Sequence, residues 1–172
     1  MIFELAFTAV AYATLAQPGL GPAGPFDRGL ENLFLSACFD GSVKLTPSQA
    51  QPVQFDALPS ALRRKFGSPS KAQVWKLQTA GNSYLYTFDY DKRNMSPKVC
   101  GLASDSLQLR SAADAVAYRL KASRDIEPQA VTTEWWRADQ GYMALASRVR
   151  DYTVLQVNWL SDEQRKEALK TP

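Results

Sequence analysis

The chain has 172 residues, 45% apolar and 22% charged, a balance that belongs to one folded domain and not to a disordered or fibrous chain. Its 20 Lys and Arg against 17 Asp and Glu leave a net charge of only +3, interleaved with acids apart from Arg63-Arg64-Lys65, which argues against a nucleic-acid partner. There is no histidine, and this removes Ser-His-Asp and Cys-His catalysis, HExxH zinc sites and imidazole pH switches together.

Residues 1–16 hold an apolar run of about a dozen residues, the length of a secretory h-region and short of the roughly 20 that a membrane span needs. Small residues follow where a signal peptidase would cut, at Ala11-Tyr12-Ala13 and at Thr14-Leu15-Ala16. The stretch reads as a signal peptide, although Glu4 stands where a positive n-region is expected. The alternative is an amphipathic helix packed on the domain. Residues 17–26, rich in Pro and Gly, read as a flexible linker, and residues 27–172 as a single α+β domain.

The first helix is expected over 28–39, capped by Asp27. Leu30, Leu33, Phe34, Ala37 and Cys38 form one apolar stripe, and Gly41 ends it. Residues 46–55 carry Pro47 and Pro52 and read as a loop. A short helix over 58–66 ends at Gly67. Strands follow at 72–78 and 83–89, joined through Ala80-Gly81-Asn82, and at 98–103. Ser111 is expected to cap a second principal helix running to 122, with Asp114 at its positive end. Strands at 130–137, 142–149 and 152–160 make a meander with turns at Asp139-Gln140-Gly141 and Arg150-Asp151. Ser161-Asp162-Glu163-Gln164 has the form of a capping box before a last polar helix.

The expected fold class is therefore α+β, an antiparallel sheet of about six strands with helices packed on one face. The order helix, three strands, helix, three strands suggests a duplicated helix-plus-three-strand unit. Alternation places Thr153, Leu155, Val157 and Trp159, and also Met143, Leu145 and Val149, toward the helices. Trp75 with Leu77, and Cys100 with Leu102, fit that layer. The opposite face would then carry Trp136, Tyr142, Arg148, Tyr152, Gln156 and Asn158, a candidate binding face of the Tyr, Trp and Arg types that dominate interfaces.

Cys38 and Cys100 are the only cysteines. In an exported chain an even count points to one disulfide, here closing a loop of about 60 residues and contributing roughly 4 kcal/mol on the chain-entropy model. The alternative is two buried free thiols. Neither is expected to be nucleophilic without an imidazole beside it.

Motifs with catalytic or metal associations fit their contexts poorly. Ser68-Pro69-Ser70-Lys71 matches S-x-x-K, but a strand follows where the chemistry needs a helix. Asp89-Tyr90-Asp91-Lys92-Arg93-Asn94 starts like a calcium loop, then places Arg93 at a ligand position and Asn94 at the required glycine. Gly19 and Gly21 lack the strand and helix of a phosphate loop. Glu134 and Asp139 flank a hairpin without converging. Hence no catalytic residue, metal or cofactor is expected.

"LFLSACFDG" on the first helix and "KVCGL" in a later strand, after an apparent leader, resemble small exported proteins of unknown function in Gram-negative bacteria. That resemblance implies a periplasmic or secreted location and transfers no functional residue. The expected function is a non-enzymatic binding or interaction module, with a protein or a small molecule as partner. Two alternatives stay open: a His-independent enzyme built on Ser, Lys and carboxylates, and a structural envelope-associated protein.

Overall fold

The computed structural model describes residues 29–41, 44–91, 96–122 and 131–170. The expected signal peptide, the linker, the Asp27 cap and residues 92–94 of the calcium-like loop lie outside them. No helix among the described residues is long and apolar enough to cross a membrane.

The chain forms an α+β fold on one antiparallel sheet. Its seven strands are β1 (Ala50–Val53), β2 (Lys71–Leu77), β3 (Ser83–Asp89), β4 (Lys98–Ser104), β5 (Thr132–Arg137), β6 (Tyr142–Val149) and β7 (Tyr152–Trp159), in the order β1-β2-β3-β4-β7-β6-β5. The meanders β2-β3-β4 and β5-β6-β7 thus meet along β4 and β7, each in reversed order relative to the other. The helices are α1 (Leu30–Leu35), α2 (Ser60–Phe66), α3 (Leu109–Leu120) and α4 (Asp162–Ala168). α1 and α3 pack together on one face; α3 leads directly into β5-β6-β7, whereas β1 and α2 stand between α1 and β2-β3-β4, so the expected helix-plus-three-strand order holds only in the second half.

The seventh strand is β1, in the segment expected to be a loop because of its prolines. Gln78 N–H donates to Gln49 O (2.9 Å), which sets the antiparallel alternation. Pro52, opposite Trp75, then falls in a non-hydrogen-bonded pair with its nitrogen toward the open side of the sheet. A proline there costs no ladder bond.

The core has two layers. On one face Leu33, Phe34, Ala112, Ala113, Val116 and Ala117 meet Leu102, Leu155, Val157, Ala144 and Ala146. On the other, Leu58, Leu62 and Phe66 cover Val74, Tyr86, Phe88, Val99, Ala103 and Val154. α2 therefore lies across the second face and reaches toward β6. Met143, Leu145 and Val149 do share a side, but it is this second side. Cross-strand pairing places Ala144 with Val157 and Ala146 with Leu155, so the alanines of β6 lie toward α3. The small residues on both α3 and β6 let helix and sheet approach closely, the reverse of the face assignment made from alternation.

α3 starts at Leu109 with Gln108 as the cap residue and no side-chain cap, so Ser111 sits inside the first turn and is not the cap. Thr153, fully buried, donates to Leu107 O (2.8 Å) and holds the chain entering the helix. Ser161 and Gln164 form the expected capping box of α4, with Gln164 N–H donating to Ser161 Oγ (3.2 Å) and Ser161 N–H donating to Gln164 Oε1 (2.9 Å).

Cys38 and Cys100 form a disulfide with Cα atoms 5.5 Å apart. Cys38 lies in a widened π-type turn, Ser36–Asp40, that continues α1 and ends at Gly41 with φ 61°, a left-handed backbone that suits glycine. The bond ties that turn to the central strand β4.

Candidate functional site

Two tethered walls leave part of the second face open. The first wall is the end of α2. Tyr90, just past β3, donates its hydroxyl to Phe66 O (2.7 Å) and pins that end. The second wall is α4. Arg165 donates through Nε to Ala138 O (2.9 Å) and through Nη2 to Asp139 O (2.7 Å), locking the helix to the β5–β6 turn. Between them runs a groove of about 310 Å³, floored by Val99, Gln156, Asn158, Met143 and Leu145 and walled by Lys65, Phe66, Trp136, Leu160 and Gln164. A second hollow of about 510 Å³, lined by Trp136, Gln164, Glu167 and Ala168, adjoins it across the indole. These volumes fall in the range of small-molecule sites.

A polar ladder crosses the groove floor. Tyr86, Gly101 and Gln156 are cross-strand neighbours on β3, β4 and β7. The Tyr86 ring passes over Gly101, and its hydroxyl donates to Gln156 Oε1 (2.9 Å). Gln156 Nε2 donates to Asn158 Oδ1 (2.6 Å), and Asn158 Nδ2 donates, among the described residues, only to Met143 Sδ at 4.0 Å. Trp136 is 54% exposed, with its indole N–H given to Glu134 Oε2 (3.2 Å).

The six residues expected to share a face do not. Trp136, Gln156 and Asn158 line the groove. Tyr152 is on the same face at its other end, packed on Tyr84 with ring centroids 6.4 Å apart. Tyr142 and Arg148 face the α1/α3 side, since they pair with Trp159 and Thr153. There Tyr142 meets Phe39 edge to face at 5.4 Å and donates to Gln140 Oε1 (2.9 Å). Arg148 donates to Arg150 O (3.0 Å) and Thr153 Oγ1 (3.2 Å). The correction follows from β6: Tyr142 and Arg148 are an even distance apart and share parity with Ala144 and Ala146, the residues under α3.

Lys65, Phe66, Met143, Leu145 and Gln164 were not anticipated. Gln164 carried a signal, the capping box, but only for helix initiation. Nothing local in the sequence places α2 opposite α4.

Of the groups a His-independent enzyme would use, the groove has, among the described residues, Lys65 and Ser96 on its border and no carboxylate. Ser70 donates to Asp89 O (3.1 Å) beside the start of β2, so the S-x-x-K segment is a turn leading into a strand. Another serine cluster, at the far end of the sheet, is structural. Ser83 and Ser104 hydroxyls are 2.8 Å apart and join Thr79 and Ser106 in a chain, while Asp105 accepts from the Asn82 backbone and side chain (both 2.9 Å). Among the described residues no group of three or more Cys, Asp or Glu could hold a metal ion.

Tyrosine ionisation is suppressed throughout this layer. Burial pushes Tyr90 up to about 12 and Tyr86 well above its ordinary value, the latter helped by Tyr90. Burial also raises Tyr84 and Tyr152, with Asp105 adding to both. The folded state therefore holds protons that the unfolded chain releases from about pH 10. This contribution is fully present below that pH and is lost as pH rises toward 12 and beyond. Urea midpoints measured across this window are expected to fall steeply, and the Tyr90→Phe variant to show a shallower fall. Equal slopes would remove Tyr90 as a source.

Comparison with known proteins gives no matching family model, no matching curated protein and no matching solved structure.

Proposed function

We propose that the protein is an exported binding module whose ligand seats in the groove between α2 and α4. The observation that carries this reading is the groove itself: an open concavity with an exposed indole, a partly unsatisfied amide ladder and two anchored walls. An exposed tryptophan beside apolar side chains and spare donors is a typical anchor for a partner or a small molecule. The Cys38–Cys100 bond supports maturation in an oxidising compartment, where such bonds persist.

The test is amide and indole NMR of the full oxidised chain, titrated with a panel of small aromatic and aliphatic compounds of differing charge. Shifts are expected at Trp136 Nε1 and at the side-chain amides of Gln156, Asn158 and Gln164. Trp136→Ala is expected to weaken binding at least about tenfold with little change in thermal midpoint, because the ring is exposed. Shifts confined to the α1/α3 side, or unchanged affinity in Trp136→Ala, would reject the groove as the site.

A further inference from the structure

The groove's polar groups are biased in sign. Lys65 stands exposed on the last turn of α2, borders the groove and has no carboxylate partner among the described residues. No Asp or Glu lines the groove among the described residues. The three amide side chains on its surface each have the oxygen held by one donor: Gln156 Oε1 accepts from Tyr86, Asn158 Oδ1 from Gln156, and Gln164 Oε1 from the Ser161 backbone N–H. The last of these fixes the amide's orientation, because a backbone N–H can only donate. What remains turned out for use is donors, namely the NH2 groups of Asn158 and Gln164 and the Lys65 ammonium. The indole N–H of Trp136 is already given to Glu134, so the ring offers its face and edge instead.

Among the described residues, a groove lining with one cation, spare N–H donors and no carboxylate complements negative charge carried on acceptor oxygens. A carboxylate matches the Lys65 charge and accepts from several N–H groups at once. Met143, Leu145 and the Trp136 ring supply an apolar bed beside those donors. We propose, on the basis of the binding reading above, that the natural ligand is a small monocarboxylate with a flat apolar body. Its carboxylate meets Lys65, Asn158 and Gln164, and its body lies against Trp136 and the Met143–Leu145 floor.

The experiment uses three probes of one shape: naphthylacetate, its neutral amide naphthylacetamide, and the cation naphthylethylamine. Each is titrated into the full oxidised chain and followed by the same indole and side-chain amide resonances. The acid is expected to bind about tenfold more tightly than the amide, with the cation weakest. Lys65→Gln is expected to bring the acid down to the level of the amide and leave the amide unchanged. Arg64→Gln, a neighbouring exposed cation outside the groove lining, is expected to change neither. Equal binding of acid and amide, or loss of acid binding in Arg64→Gln as in Lys65→Gln, would overturn the carboxylate assignment while leaving the groove as a site. Preference for the amine would overturn it also. Failure of all three probes to shift any groove resonance would overturn both the assignment and the binding reading on which it rests.

Discussion

Gly101→Ala is expected to destabilise the protein by about 2 to 6 kcal/mol, enough to remove much of the stability of an ordinary domain. The reason is local and steric. Gly101 lies in the middle of β4 between Tyr86 and Gln156, and a Cβ there would collide with the Tyr86 ring and hydroxyl and stand 2.6 Å from Leu155 O. Tyr86 cannot swing aside freely. Its ring is stacked on Phe88 at 4.7 Å and packed under Phe66 at 4.5 Å, and it is fully buried. Two costs therefore add: overpacking, about 1 to 3 kcal/mol, and separation of the Tyr86–Gln156 bond, which leaves buried polar atoms unpaired for about 1 to 3 more. A double-mutant cycle in urea with Tyr86→Leu checks the mechanism. The pair should be less destabilised than the sum of the single variants, because the leucine vacates the space the new methyl needs. Rescue should be partial, since the carbonyl of Leu155 stays. Additivity within about 0.5 kcal/mol would show that the ring over Gly101 is not the constraint.

Gly101 also shows what a sequence leaves unsaid. Period-two alternation in Ser83 to Asp89 and in Tyr142 to Val149 was enough to delimit β3 and β6. Nothing in "KVCGL" indicates that its glycine is the floor under a tyrosine from the next strand. That depends on register, which only pairing supplies. β6 makes the same point for faces. It is buried on both sides, so apolar residues occur at both parities and the alternation carries no direction. Alternation alone put Met143, Leu145 and Val149 on the helix side. The helix in fact approaches on the alanines. From that one inversion came the assignment of Tyr142 and Arg148 to the wrong side. Trp136, Tyr152, Gln156 and Asn158 do lie on the face opposite α1 and α3, the side assigned to them by alternation in β5 and β7. The walls of the groove were illegible for a different reason. Tyr90 reaching Phe66, and Arg165 reaching the β5–β6 turn, are contacts made by side chains that look like ordinary loop and surface residues in the sequence.

Replacing both cysteines by alanine is expected to cost about 4 kcal/mol, the second large effect. The bond spans a separation of 62 residues that includes β1, α2, β2 and β3, so its removal frees a long loop in the unfolded chain. On the chain-entropy account the change lies mainly in the unfolded state. The urea m-value should then rise along with the fall in midpoint, because the uncrosslinked chain expands and exposes more surface. A native-state contribution is expected beside it. α1 has only six residues, too few to hold helical structure without tertiary support. Its anchors are Leu33 and Phe34 in the core and the sulfur bridge at the end of the π-type turn. Hydrogen exchange in the double-alanine protein should therefore quicken first in Leu30–Leu35 and Ser36–Asp40, while the amides of β4 and β7 keep protection set by global unfolding. A loss under about 1 kcal/mol with an unchanged m-value would mean that the bond merely decorates contacts already sufficient. The same pair of residues also bears on location. If protein alkylated directly in intact cells is recovered with both thiols blocked, the chain matures reduced, and the case for export loses the support of the disulfide.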